Sequence, residues 1–303
     1  MIKCERHCEM KKILLVYNPV SGHAAFKSKL DSIVEAFQQR GILLSLYRTR
    51  QDDNSVFAEM VRESRADGII SAGGDGTLHA VINWLMSSKI DLPVGIIGSG
   101  TSNDFATYLS INKNLEEYFD RIAKFQTRKV DVGLVNGEKF FINVVSAGAF
   151  TAIAHEVNVK LKNLLGKPAY YLQSLKELPN FKAATFKVDA NGVNFEFEAF
   201  LFIVLNSGTV AGMKRVADFA KIDDGELNLL AIKKCSPSQL LKISRNLFSG
   251  RGVNIDDENI FSLQSSKFSI SSTSDLTSDI DGEIGFKLPL KIETIPQALE
   301  VFI

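Results

Sequence analysis

The sequence predicts two domains in series: an α/β domain with a parallel sheet and helices on both faces, then a mostly antiparallel β-sandwich. Three observations predict this. Over residues 12–97, continuous apolar runs of strand length alternate with stretches of helical periodicity. From about Lys139 onward the texture turns to β-rich segments joined by short polar turns. Glycine-containing loops at 18–22, 73–77 and 98–104 each follow an apolar strand, the position at which such sheets bind ligands.

The elements follow in order. Residues 12–17 (KILLVY) are an apolar strand, ended by the turn Asn18-Pro19-Val20-Ser21-Gly22. Residues 26–40 place Phe26, Leu30, Ile33, Val34 and Phe37 at helical spacing, and Gly41 stops them. A strand over 42–47, a helix over 56–64 with Val56, Met60 and Val61 inward, a strand over 68–72, a helix over 78–87 and a strand over 92–97 complete the first half. Its strands are apolar without alternation, which predicts burial on both faces. The second half reads as strands over 140–145, 184–189, 195–205, 226–232, 267–271 and 286–291. Asn191-Gly192 is a hairpin turn, since both residue types accept positive φ. Helices are expected over 151–178 and over 236–249, the latter capped by Ser236 with Pro237 at its first position. Residues 252–266 read as a polar connector. The segment 151–178 mixes four lysines with leucines and tyrosines, and suits either a helix covering the sheet or a surface that dips toward lipid.

Composition bounds the function. With 303 residues, 45% hydrophobic and 23% charged, the chain is long enough for two cores. Lys+Arg and Asp+Glu each number 35, which argues against a dedicated nucleic-acid binder. Three cysteines, Cys4, Cys8 and Cys235, suit a reducing compartment better than a disulfide scaffold. Cys4, His7 and Cys8 are too few for a zinc site and read as part of an unstructured start. No run approaches 18 apolar residues, and residues 13–17 read as a buried strand rather than a signal peptide. The expectation is a cytoplasmic protein, peripheral to the membrane at most, with a homodimer as the default assembly.

The chemistry gathers in the loops. Gly73-Gly74-Asp75-Gly76-Thr77 sits between a strand and a helix, where glycines let backbone approach a phosphate and the helix N-terminus favours an anion. An aspartate there repels a bare phosphate but suits one bridged by Mg²⁺. Gly98-Ser99-Gly100-Thr101-Ser102-Asn103-Asp104 opens another helix, with Asp104 either its cap or a second carboxylate of the same site. Neither loop is a Walker motif or a dinucleotide fingerprint. Two acidic turns, Lys221-Ile222-Asp223-Asp224-Gly225-Glu226 and Asp279-Ile280-Asp281-Gly282-Glu283, suit plain hairpins or oxygen-ligand cation sites.

Taken in order, the 18–22 turn, Gly73-Gly-Asp-Gly-Thr77, the 98–106 loop, the 221–226 turn and Asp281-Gly-Glu283 resemble the diacylglycerol kinase catalytic family, in particular its bacterial soluble lipid kinases. The resemblance runs from about Lys11 to the C-terminus. It implies a nucleotide-binding domain of residues 1–133 with about 292–303, a lipid-substrate domain of 134–291, and a site in the cleft. It implies an ATP-dependent phosphotransferase of lipid metabolism and phospholipid synthesis, acting on a diacylglycerol-like hydroxyl at a membrane surface. ATP contacts would come from Asn18, Pro19, Val20, Ser21, Gly22, Thr49, Gly74, Asp75, Gly76, Thr77, Leu78, His79, Ala80 and Thr101. Asp75 would hold the phosphates through Mg²⁺, Asp104 would line the same cleft, and Glu283 would be the general base. Asp224 with the carbonyls of Lys221 and Glu226 matches a structural Mg²⁺ site, and Asp131 an acidic position linking it to the active site. Many relatives carry Asn-Glu where this chain has His79-Ala80, which bears on the details of nucleotide contact. The alternatives are an NAD kinase-like phosphotransferase and a non-catalytic nucleotide- or lipid-binding regulator.

Overall fold

The first strand, β1 (Lys11–Tyr17), buries Ile13, Leu14, Leu15 and Val16 in succession, as a strand covered on both faces must. It pairs in parallel with β2 (Ile42–Arg48) on one side and β3 (Gly68–Gly73) on the other, and β3 pairs with β4 (Val94–Gly98). The computed structural model describes residues 10–21, 26–50, 53–100, 102–148, 182–210, 212–213 and 215–303. These divide into two units, one reaching to Lys129 together with Leu299–Ile303, the other Val130–Ala298. The 151–178 helix, Gly22, Thr101, Cys4, His7 and Cys8 lie outside the described residues.

In the first unit, α1 (Phe26–Gln39), α2 (Phe57–Ser64) and α3 (Asp75–Ser87) connect the parallel strands. Helix α2 corrects one expectation. Phe57 and Val61 are its buried residues, whereas Val56 and Met60 are 52% and 43% exposed. Val56 precedes the first turn, and Phe57 and Val61, four residues apart, take the inner stripe. Helix α3 begins at Asp75, three residues before the expected start, so the glycine loop is shorter than the sequence suggests. After β4 come α4 (Asp104–Tyr108), a 3₁₀ turn (Ile111–Lys113) and α5 (Leu115–Ala123). The Tyr118 hydroxyl on α5 accepts from the Ile96 amide at 3.0 Å and donates to the Phe302 carbonyl at 3.4 Å. That contact ties the end of the chain to this sheet, where Val301 pairs in parallel with Val94.

The second unit is antiparallel throughout its recorded pairings. Its strands are β5 (Thr127–Val135, from Val130 on), β6 (Lys139–Phe141), β7 (Val144–Gly148), β8 (Ala184–Ala190), β9 (Val193–Leu205), β10 (Leu227–Lys233), β11 (Ile260–Ser265), β12 (Lys267–Ser272), β13 (Thr277–Ile280), β14 (Glu283–Lys287) and β15 (Leu290–Phe302, to Ala298). Strand order runs β14-β13-β7-β9-β8-β12-β15, with β10 joining β9 to β11 and β6 pairing β5. Alternation along β10 sends Leu227, Leu229 and Ala231 into one apolar cluster with Phe186, Phe202 and Phe268. Leu230 and Ile232 enter another, against Leu240 and Ile243 of α6 (Pro237–Phe248). Ser236 and Gln239 form a reciprocal capping box at the start of α6.

Three strand expectations need correction. The run 140–145 is two strands, because the amides of Ile142 and Asn143 donate to the Asp281 carboxylate instead of a ladder. The polar connector 252–266 contains β11, an alternating strand whose partner β10 is distant in sequence. The run 286–291 is divided at Pro289, which has no amide to donate, into the end of β14 and the start of β15.

Candidate functional site

Three loops of the first unit meet at the C-terminal ends of β1, β3 and β4. The Asn18 amide donates to the Ala72 carbonyl at 3.1 Å, and its side-chain amide donates to Thr77 Oγ1 at 3.2 Å. The Thr49 amide donates to the Tyr17 carbonyl at 3.0 Å, bringing the end of β2 alongside. Ser99 donates from its amide to the Gly73 carbonyl at 2.8 Å and from its hydroxyl to Ser21 Oγ at 3.1 Å. The junction lies at the N-terminus of α3, whose aligned peptides favour negative charge there.

Asp75 fastens two of these loops. Its Oδ2 accepts from the Asn103 amide at 2.8 Å and its Oδ1 from the Asp104 amide at 2.7 Å. Asn103 in turn exchanges two hydrogen bonds with Gly100, at 3.0 and 2.8 Å, and adopts a left-handed φ of 50° as the residue before α4. The glycines have a structural reason the sequence did not disclose. A Cβ at Gly100 would stand 2.6 Å from the Gly74 Cα, so the two loops touch backbone to backbone. Asp104, the first residue of α4, is 8% exposed.

Among the other expected nucleotide contacts, Pro19 is buried and Val20 is 63% exposed. Gly76 and Ala80 are half-buried on α3, while Thr77, Leu78 and His79 are buried there. The Leu78 side chain packs in the core, so any ligand contact it makes is through its backbone. Ser99 and Asn103 are the residues missing from the expected set. The signal for Asn103 was its residue type just before a helix, since asparagine is among the few residues besides glycine that take positive φ with little cost.

The remaining expected residues belong to the second unit. Asp131 is fully buried on β5, and its two oxygens accept from the amides of Gly225 and Gln297, each at 2.7 Å. Its own amide donates to the Ile222 carbonyl at 2.6 Å. It therefore pins the 221–226 turn directly. In that turn, Asp224 accepts from the Glu226 amide at 3.1 Å and from Gln264 Nε2 at 3.2 Å. Burial, with the nearby Asp224 charge, holds the Glu226 carboxyl above the usual carboxylate range. Lys221 is exposed. Among the described residues, no group of three or more His, Cys, Asp or Glu gathers as a metal cluster. A cation at this turn would draw instead on main-chain carbonyls beside Asp224, all hard oxygen donors of the kind Mg²⁺ takes.

Glu283 opens β14 and is exposed. The preceding turn is a two-residue hairpin with positive φ at both positions, 52° at Asp281 and 91° at Gly282. Asp281 does more than turn the chain. The residue is 8% exposed, and its carboxylate accepts from three successive amides, Ile142, Asn143 and Val144, each at 2.9 Å.

Comparison with known proteins identifies the family. Residues 12–135 match the diacylglycerol kinase catalytic domain, and residues 143–303 match the YegS C-terminal NAD kinase beta sandwich-like domain. Diacylglycerol kinases of Staphylococcus epidermidis and Staphylococcus aureus are each 32% identical over 293 residues, 96% of this chain and 92% of theirs. A crystal structure of a provisionally assigned diacylglycerol kinase from Bacillus anthracis superposes with a TM-score of 0.82 at 26% identity, over 98% of this chain and 97% of that one.

Proposed function

Since the chain belongs to the diacylglycerol kinase family and is a phosphotransferase that uses a nucleotide, we propose that it moves the γ-phosphate of ATP to the hydroxyl of a diacylglycerol-like lipid. The observation that carries the reading is the junction of three loops under the N-terminus of α3, fastened by Asp75. Phosphoryl transfer asks a protein for positioning and for neutralised charge rather than covalent chemistry. In this reading Asn18, Ser21, Ser99 and the Gly74–Gly100 contact shape the phosphate bed, and Thr49 borders it. Asp75 and Asp104 would supply carboxylate oxygens for Mg²⁺, hard donors of the kind that ion takes.

Mg²⁺ bound there would neutralise the triphosphate, and a second ion would sit at Asp224 with the carbonyls of Lys221 and Glu226. The fit at that turn rests on its donors, the Asp224 carboxylate and main-chain carbonyls, all hard oxygens of the kind Mg²⁺ takes. Glu283 takes the proton of the lipid hydroxyl as the new P–O bond forms, a role worth about 10²–10⁴ in rate. The acceptor brings the protein to a membrane surface as a peripheral visitor. Among the described residues no helix is long and apolar enough to cross a bilayer.

The test is γ-labelled ATP with a lipid panel in detergent micelles. Label extracted into the organic phase with diacylglycerol is the expected result. Label in NADP when NAD is offered would move the acceptor to a dinucleotide, and no label in either would leave a binding protein.

A further inference from the structure

We propose that Asp281 is the positioning residue of Glu283, holding the base in place from the far side of its own hairpin. The inference rests on the reading of Glu283 as the base. A base at the first position of an exposed edge strand has little packing of its own to fix it: Glu283 is exposed and the next residue, Ile284, is 65% exposed. Its hairpin is anchored instead through Asp281. The Asp281 amide donates to the Val144 carbonyl at 2.9 Å, and its carboxylate takes the amides of Ile142, Asn143 and Val144 in return. The short ladder of β13 on β7, Asp279 with Ser146 and Ile280 with Val145, continues from that anchor.

The receiving segment is itself held. Asn206 donates from its amide to the Asn143 carbonyl at 2.8 Å and from its side chain to the Ile142 carbonyl at 2.9 Å. Ser207 Oγ donates to Asn143 Oδ1 at 2.9 Å. Three successive amides on one carboxylate form an anion nest, which ties the turn to residues 142–144 through three hydrogen bonds. Two residues further on, a two-residue turn whose φ values are both fixed leaves the Glu283 backbone little freedom. Displacement of a catalytic group by about 1 Å costs on the order of 10²-fold in rate, so loosening the nest should act on the chemical step.

Asp281→Asn keeps the size and the tolerance for positive φ but turns an NH₂ toward amides that need acceptors. With dioleoylglycerol micelles and γ-labelled ATP, the full chain carrying Asp281→Asn should show kcat lowered at least about 10-fold, with KM for ATP unchanged. Combined with Glu283→Gln it should be no slower than Glu283→Gln alone, an outcome that mere loss of stability would not give. Wild-type kcat in folded Asp281→Asn, or losses that multiply in the double variant, overturns the positioning role and leaves the base in place. Wild-type turnover by Glu283→Gln overturns the base reading and this inference with it. Amide exchange on the unmodified chain tests the nest without any variant: Ile142 and Asn143, outside any strand, should exchange as slowly as β7, and loop-like exchange would refute it.

Discussion

Replacing Asp75 with alanine removes two hydrogen bonds at once, from the amides of Asn103 and Asp104 at 2.8 and 2.7 Å. Bonds to a charged acceptor contribute about 1.5–3 kcal/mol each. Asp75 is half-buried, so the low end applies, and the pair contributes about 3 kcal/mol to holding the two loops together. If nucleotide binds only the joined loops, about 3 kcal/mol corresponds to roughly 100-fold in affinity. Calorimetric titration with ATP, once with Mg²⁺ and once with EDTA, separates two roles for this residue. Fastening the loops predicts that Asp75→Ala weakens ATP binding in both buffers. A loss seen only with Mg²⁺ would assign Asp75 to the metal alone. Wild-type affinity in both would refute the reasoning that this junction is the nucleotide bed.

Gly100→Ala should also abolish tight ATP binding by titration, because its Cβ would stand 2.6 Å from the Gly74 Cα and force the loops apart. Asp131→Ala, which strips two acceptors from a fully buried site, should cost about 3 kcal/mol. Calorimetric melting should then show the second unit's Tm lowered by about 6–12 °C. Glu226 gives a pH prediction. Its folded carboxyl titrates above the ordinary Glu value, by burial and then by Asp224, so the folded state holds the proton more tightly than the unfolded. Stability is therefore lost as pH rises from the ordinary Glu value through the raised one. Urea unfolding should find Glu226→Gln more stable than the unmodified chain at neutral pH, with the difference gone below the ordinary Glu value. An unchanged difference across that range would contradict it.

Local chemistry was legible in the sequence, and long-range pairing was not. Asn191-Gly192 was readable because its φ values of 51° and 89° are a demand made on those two residues alone. The Ser236–Gln239 capping box is equally local. The loop positions at strand ends followed from alternation, but the reason for their glycines did not. Gly74 and Gly100 make room for one another, and nothing near either residue announces the partner. The same holds for Asp281. Asp-Gly reads as a hairpin, correctly, while its grip on residues 142–144 joins segments nearly half the chain apart. That grip divides the run 140–145 into two strands, a break that its largely apolar pattern does not announce. Helix α5 is capped by Asn114 and buries Tyr118, Phe119 and Ile122 along one stripe. Its charged flanks hid a pattern only nine residues long.

The most direct test of the account is the chemical step itself. Rapid-quench single turnover at saturating ATP and dioleoylglycerol should show transfer slowed about 10²–10⁴-fold by Glu283→Gln, with the ATP dissociation constant unchanged. Transfer at the wild-type rate, or a loss explained wholly by weaker ATP binding, would contradict the assignment of the base.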